Sequence, residues 1–446
     1  MSLKKLRISE LLQIAEQRGI AIDENWRKSQ IIAALENNTN NTSPSEKPKY
    51  RVLSLFSGAG GDSLGMTQAG CSLIAYNEFN KDAIDTHNLN MPNCSLIEYN
   101  GITDIKKIPD NVFVQYKGQI DIVFAGFPCQ GFSHAGKKKE DDPRNELVYE
   151  FVRVVQLIQP KWIIGENVRG LLSRQGLEPK TGKKQPVINI INELFEEIGY
   201  KLTWEIHDAT QYGVPQLRKR LIIIGHRGKD FPHIDFKHNS ETLSNCSIRS
   251  ILETNLEGAI EFPIQNIPAN LDPNFWISTE ITAPSGNPHT NLVRLVQGIR
   301  NKSSKELATE KETTAEKTVV VQGGLVSFGR RIGGYHGEVL HPDRPCKTII
   351  CNYELCPRLF VGLKSANGKY YVRVLNTREL AQIQGFPVEY QFSGQTKSII
   401  KQIGNAVPPP MIKKIVESLE TATFDQHPQH SLVNSQTDLS NDFEDD

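Results

Sequence analysis

Cysteine is scarce in this chain: seven residues in 446, an odd number with no C-x-x-C pair. That excludes a disulfide framework and fits thiols kept reduced. A charge excess of either sign is also missing, since 51 Lys+Arg balance 51 Asp+Glu. The balance excludes a globally basic polyanion binder, though not one that is basic on a single face. Long apolar runs are absent as well. LIIIG, Leu221–Gly225, is about the longest, far below the roughly 18 residues that cross a bilayer. The opening residues MSLKKLRISELL carry no secretory apolar region, so the expected location is cytoplasmic. What remains is globular material, 38% hydrophobic and 23% charged, long enough for two or three domains.

Residues 1–37 read as a small helical module. ISELLQIAEQRG places Ile8, Leu11, Leu12 and Ala15 on one helical stripe, with Ser9 as a cap and Gly19 as a stop. A second helix is expected over Ser29–Leu35. The pair resembles the SAP/Rho-N type of nucleic-acid-binding unit; the alternative is a folding cap without nucleic-acid contact. NNTNNTSPSEKPK, Asn37–Lys49, has linker composition, and residues 38–49 read as the linker.

Short apolar runs then alternate with helical spacing. RVLSLFSG, CSLIAYNE, IDIVFAGFP, KWIIGENV and RLIIIGHR read as buried parallel strands, with helices at SLGMTQAG and NELVYEFVRVVQLI. The fold class expected is α/β, a doubly wound Rossmann-like sheet, over residues 50–230. From 231 to 338 the rhythm is lost in an Asn-, Pro-, Ser- and Thr-rich stretch, with a helical patch at LVRLVQGIR and a β-like TVVV. This reads as an inserted domain, with return to the first domain over 339–424 and a disordered acidic tail over 425–446.

Four signals carry chemistry. LSLFSGAGGDSLG, Leu53–Gly65, is a strand running into a glycine turn and a helix, where backbone N–H groups can approach a nucleotide-like cofactor. Glu78 stands about twenty residues on, placed for ribose hydroxyls. NAD, FAD and S-adenosylmethionine sites share this logic, but G-x-G-x-x-G is not cleanly met, which favours the methyl donor. In GFPCQGFS, Cys129 leaves a strand in a polar loop, a setting for a reactive thiol; the other six cysteines read as inert. In GENVRG, Glu166 follows an apolar strand, where a carboxyl can hold a proton, although a plain strand-end turn has the same pattern. In QLRKR, Arg218 and Arg220 alternate onto one face and stay cationic beside an anion or phosphate.

In this order and spacing, FSGAGG, Glu78, PCQGFS, ENV, QLRKR, RELAQIQGFP and QIGNAVPPP resemble the DNA cytosine-5 methyltransferase family over residues 50 to 420. The resemblance implies methyl transfer from S-adenosylmethionine to carbon 5 of a flipped-out cytosine in double-stranded DNA. Cys129 matches the nucleophile, Glu166 the acid at ring N3, and Arg220 and Arg218 the arginines that hold the base. Phe56, Gly58, Gly60, Gly61, Glu78, Phe79, Pro128, Asn145, Leu147, Asn405 and Val407 match cofactor positions. The insertion matches the place of a target-recognition domain, with Arg294, Arg300, Lys302, Arg330 and Arg331 as basic candidates. The family also implies a monomer near the nucleoid, with a restriction endonuclease acting on the same site. An RNA cytosine-5 methyltransferase and a catalytically silent DNA-binding regulator are the alternatives.

One departure stands out. The family's Asp for the adenine amino group follows the third strand, and here the segment reads NGITDI. Gly101 falls at the expected position, with Asn100 and Asp104 on either side. Lys137–Lys139 read either as a solvated loop or as part of a loop closing on phosphates. His336, His341, Cys346, Cys351 and Cys356 lack metal-site spacing, so no metal is expected.

Overall fold

The computed structural model describes residues 7–17, 28, 31–32, 48–128, 147–177, 182–236, 246–262, 273–300, 319–322, 325–332 and 335–427. Its main body is a seven-stranded sheet in the order β3-β2-β1-β4-β5-β9-β8. The strands are β1 (Arg51–Leu55), β2 (Ser72–Asn77), β3 (Ser95–Leu96), β4 (Ile122–Ala125), β5 (Trp162–Val168), β8 (Tyr200–Asp208) and β9 (Lys219–Arg227). A small hairpin of β6 (Gln175–Leu177) and β7 (Lys184–Pro186) lies between β5 and β8 in the chain.

Strands β2, β1, β4 and β5 are parallel, as the apolar runs predict, and the short β3, which no run announced, pairs parallel with β2. The run RLIIIGHR is a correction: β9 pairs antiparallel with both β5 and β8. A two-sided apolar strand has the same pattern in either direction, so only the connection decides polarity.

Alternate side chains feed two cores, because successive residues of a strand point to opposite faces. Leu53, Val123, Ile163 and Ile223 pack on one face with Phe151 and Val155 of the helix Leu147–Ile158 and Phe195 of the helix Val187–Glu197. Val52, Phe124, Ile164 and Ile224 pack on the other, against Met66 of the helix Gly61–Gln68 and Met411 and Ile415 of the helix Pro409–Ser418.

After β10 (Phe231–His233) a second seven-stranded sheet forms. It contains β11 (Ile260–Phe262), β12 (Ile277–Thr279), β13 (Val319–Gln322), β14 (Leu325–Ile332), β15 (Tyr335–Val339), β16 (Leu359–Ser365) and β17 (Tyr370–Val374). The order is β11-β17-β16-β15-β14-β13, with β12 paired to β16. Its sequence therefore does not end at Glu338: β16 and β17, expected in the returning large domain, belong to it. The helix Thr290–Arg300 covers this sheet through Leu292, Leu295 and Val296. The chain returns through the helices Thr377–Ile383, Thr396–Asn405 and Pro409–Ser418, and β18 (Thr423–Asp425) closes on β10.

The N-terminal helix α1 spans Ile8–Gln17, so Ser9 lies inside it and is not its cap. Glu10 instead accepts from the backbone N–H of Arg7 at 2.6 Å. Leu11, Ile14 and Ala15 are buried with Ile31, Ile32 and Val388, and Arg378 donates to Glu10. The module thus sits on the main body through an apolar patch and a charged pair. Most of the second helix expected at Ser29–Leu35, the stop at Gly19 and all but the end of the linker lie outside the described residues.

Candidate active site

The carboxyl ends of the parallel strands converge, the place where open α/β sheets bind ligands. β1 delivers the glycine turn. Phe56 (φ 56°), Gly58 (φ 53°) and Gly60 (φ 80°) are all left-handed, which reverses the chain within a few residues. A Cβ on Gly58 would meet nothing within 4 Å, so this part of the turn faces open space. Gly61 is glycine for another reason: a Cβ there would lie 2.3 Å from the Val407 carbonyl oxygen. Gly61 and Val407 are therefore a backbone-to-backbone contact between the first and last motifs.

β2 delivers Glu78, 7% exposed, whose carboxylate organises the same turn. Oε2 accepts from Gly58 N–H at 2.9 Å, and Oε1 accepts from the N–H groups of Phe79 and Asn80 at 2.8 Å each. The Phe79 ring is 74% exposed beside it, an apolar plate a packed core would not leave in water. Gly58, Glu78 and an exposed ring fit a nucleoside: open backbone, a carboxylate for hydroxyls, a face for stacking.

Gly101 and Asn100 form a tight left-handed turn closed by Tyr99 and Ile102, which explains the glycine without a ligand. Beyond it, Asn77 Nδ2 donates to the carbonyls of Ile97 and Thr103 at 3.1 and 3.0 Å. That ties the segment just before Asp104 to the end of β2. Asp104 caps the following short helix through Lys106 N–H, at 3.3 Å.

β4 delivers Gly126, Phe127 and the half-buried Pro128; Cys129 and Asn145 lie outside the described residues, as do Lys137–Lys139. The approach to Cys129 is fixed by β5, because Asn167 Nδ2 donates to the Phe127 carbonyl at 3.0 Å. Glu166, one residue earlier on β5, faces the same strand end. A Cβ built on Gly126 would stand 3.8 Å from Glu166 Oε2, three residues ahead of Cys129. Glu166 Oε1 lies 3.1 Å from Arg220 Nε, both side chains nearly buried. Burial pushes the Glu166 carboxyl above its ordinary range, while Arg220 and then Arg218 pull it back. The net upward direction is that of a carboxyl able to carry a proton into a site.

Arg218 and Arg220 have different surroundings. Arg220 meets Glu166, whereas Arg218, 2% exposed, donates to the carbonyls of Ile349, Gly404 and Ala406 at 3.3, 2.8 and 3.1 Å. Arg218 is thus tied to the returning chain, while its charge still lowers the Glu166 carboxyl. Gln216 joins that tie, donating to Gln384 at 2.6 Å and accepting from Ile349 N–H at 3.0 Å. Sequence reasoning missed Gln216 and Gln384, because a glutamine gives no local sign that it will be fully buried.

The remaining positions divide. Leu147 opens its helix and packs half-buried against the core. Val407 is buried at the glycine turn, while Asn405 is exposed at the end of its helix. Burial raises the thiols of Cys71, Cys94, Cys246 and Cys346, as inert cysteines require. His341 is buried, accepting from Asp343 N–H at 3.1 Å. The side chains of Arg300, Lys302, Arg330, Arg331 and His336 lie outside the described residues; Arg294 is exposed on its helix.

The pattern has relatives. Residues 50–421 match the family model for C-5 cytosine-specific DNA methylases. The chain is 32% identical to the Type II methyltransferase M.PspPI of Psychrobacter sp., covering 80% of this chain and 76% of that one. It is 31% identical to the Type II methyltransferase M1.HphI of Haemophilus parahaemolyticus, covering 82% and 86%. The fold is similar to that of Spodoptera frugiperda DNMT2, with a TM-score of 0.53 at 17% identity, covering 83% of this chain and 100% of that one. The chain belongs to the C-5 cytosine-specific DNA methylase family.

Proposed function

We propose that this protein methylates carbon 5 of a flipped-out cytosine at a specific sequence in double-stranded DNA, within a restriction–modification system. The observation that carries this reading is the buried Glu166–Arg220 pair facing Gly126, at the strand end that leads into Cys129.

Carbon 5 of cytosine is a weak nucleophile, so electrons must first be driven into the ring. Cys129, as thiolate, adds to carbon 6 and leaves a covalent adduct. Glu166 holds a proton toward ring N3, which draws charge in the same direction. Arg220, kept in place by Glu166, faces the negative charge that develops near O2. S-adenosylmethionine, when bound, supplies an electrophilic methyl group. Loss of the carbon-5 proton and expulsion of Cys129 then regenerate the thiolate. These atoms are hidden in a duplex, so the base must leave the stack.

Phe56, Gly58, Gly60, Glu78 and Phe79 would hold the adenosine end of the cofactor, with Pro128, Asn145, Leu147, Asn405 and Val407 around the rest. Gly61 serves the fold that brings Val407 there. Asp104 is the carboxylate proposed for the adenine amino group, supported by the tie between Asn77 and Thr103. The second sheet is assigned as the target-recognition domain, Arg294 as one of its phosphate or base contacts, and Lys137–Lys139 as a loop that closes on phosphates. A cognate endonuclease, a monomeric state, nucleoid association and added nucleic-acid contact by the SAP-like module complete the proposal. Among the described residues, no helix is long and apolar enough to cross a membrane.

A duplex carrying 5-fluorocytosine at the target tests the mechanism, because fluorine cannot leave as a proton does. With cofactor present, a denaturation-resistant adduct is expected, absent in Cys129→Ala and retained when any other cysteine is replaced. An adduct that survives Cys129→Ala would remove the nucleophile assignment. One formed only on structured RNA would move the substrate class.

A further inference from the structure

Behind the glycine turn lies a buried polar cluster that the chemistry above does not use. Asp62, in the first turn of the helix Gly61–Gln68, is 3% exposed. Its Oδ2 accepts from the Ser54 hydroxyl on β1 and, at 3.4 Å, from the Ser63 hydroxyl. Ser63 Oγ lies 3.1 Å from Ser57 Oγ and 3.1 Å from His87 Nε2. The His87 ring stacks on Tyr76 at 3.6 Å and closes on Gly60, where a Cβ would come within 2.9 Å of it. On the far side, the Tyr390 hydroxyl donates to the Ala59 carbonyl. The turn is thus held from beneath by one connected network around Asp62 and Ser63, and separately by Tyr390.

The direction of those bonds matters. A hydroxyl has one hydrogen to give. With Asp62 ionised, Ser54 and Ser63 both give theirs to the carboxylate, and Ser63 is free to accept from Ser57 and from His87 Nε2–H. With Asp62 protonated, its own O–H needs an acceptor, so a serine must reverse and its neighbour loses a partner. In a buried network, an unmet polar group is costly.

We propose that Asp62 is a positioning residue for the methyl donor: through Ser54 and Ser63 its carboxylate locks the Ser57–Gly61 turn in the form that takes the cofactor. The proposal rests on the assignment of that turn to S-adenosylmethionine. Among the described residues no Lys or Arg pairs with Asp62, and burial pushes its carboxyl up to about 7, with the hydroxyl and backbone donors holding it from going further. The other titratable groups facing the cluster stay neutral there. Burial lowers His87 to about 3, raises the Cys94 thiol to about 12 and raises the Tyr76 and Tyr390 phenols. Asp62 is then the member of this cluster whose charge changes between pH 6 and 8.

Titration calorimetry of the full chain with S-adenosylmethionine and S-adenosylhomocysteine, from pH 6 to 8.5, tests this. Wild-type affinity should rise with pH through about 7 for both ligands. At pH 8, Asp62→Asn should bind about tenfold more weakly, the effect of one lost hydrogen bond to a charged group. Its pH profile should show only the cofactor's own ionisation. Parallel profiles for wild type and Asp62→Asn, or equal affinity at pH 8, overturn the proposal. Ser54→Ala keeps the carboxyl and removes one donor, so its affinity midpoint should move to higher pH; an unmoved midpoint also overturns it. Failure of the wild type to bind either ligand would instead remove the cofactor assignment of the turn.

Discussion

The two sheets are packed on different terms. In the large sheet, aliphatic side chains of β1, β4, β5 and β9 feed a core on each face, and helices close both. In the small sheet, rings do much of the filling: Phe328 meets Phe262 edge-on at 5.4 Å and Phe360 at 5.3 Å, under the helix Thr290–Arg300. Strands covered on both sides hold their ends still, which suits a carboxylate, an arginine and a strand exit that must meet one ring. In the small sheet β16 and β17 are likewise buried on both faces, and under the proposed function it is the rest of that domain that presents a surface to DNA. Buried polar groups tie the small sheet to the chain on either side of it. Arg373 on β17 and Glu379 pair at 2.7 Å with side chains 2% and 0% exposed. Arg218 and Gln216 bind the returning chain from the other side.

If chemistry belongs to the large sheet and reading to the small one, variants should separate them. The largest effect is expected for Glu166→Gln, which keeps the shape but has no carboxylic proton. Single-turnover methylation should slow by about 10²–10⁴-fold, with target sequence unchanged. Unchanged turnover would make Glu166 structural.

Arg373→Ala attacks the small sheet's side and should destabilise the chain by about 3–5 kcal/mol, because Glu379 is left buried without its cation. A denaturant midpoint close to wild type would show that this pair does not hold the helix Thr377–Ile383 on β17.

Stability should also respond to pH through Asp62. Its carboxyl is raised in the fold to about 7 from an ordinary 3.8, so folding takes up a proton between those values. Its contribution therefore favours the fold below about pH 4, is lost as pH rises to about 7, and is flat above. Asp62→Asn should lack that loss in melting experiments from pH 5 to 8.

A chain starting at Lys49 should keep its target and turnover but melt a few degrees lower, since Val388 and Arg378 lose their cover. A changed target would place the module in recognition. The smallest effect is expected for Arg294→Ala: cofactor affinity unchanged, and the salt dependence of DNA binding lowered by about one unit of slope. An effect on cofactor affinity would break the division between the sheets.

The strands that carry the site were legible because an apolar run ending in Gly, Pro or a charge is an intrinsic, local pattern. That is why β1, β2, β4 and β5 and the residues at their ends, Gly58, Glu78, Pro128 and Glu166, could be named from the chain alone. The strand β8 was not, since it has no continuous apolar run; its YKLTWEIHD alternation is the separate signature of a half-buried strand. Nor was the extent of the small sheet, because β16 and β17 are apolar runs of the same kind as those of the large one.

Sequence alone determined the family, the order of the motifs and the candidate acid, nucleophile and cofactor turn, because each motif is contiguous and its chemistry is carried by residue type. Only the tertiary structure decided which of two arginines meets Glu166, that Gly61 makes room for the Val407 carbonyl, and that α1 docks on Val388. It also gathered Ser54, Ser63, His87 and Tyr390 around Asp62 and the glycine turn. Each of those depends on partners far apart in the chain, and a pattern along the chain has no record of what will be packed across it.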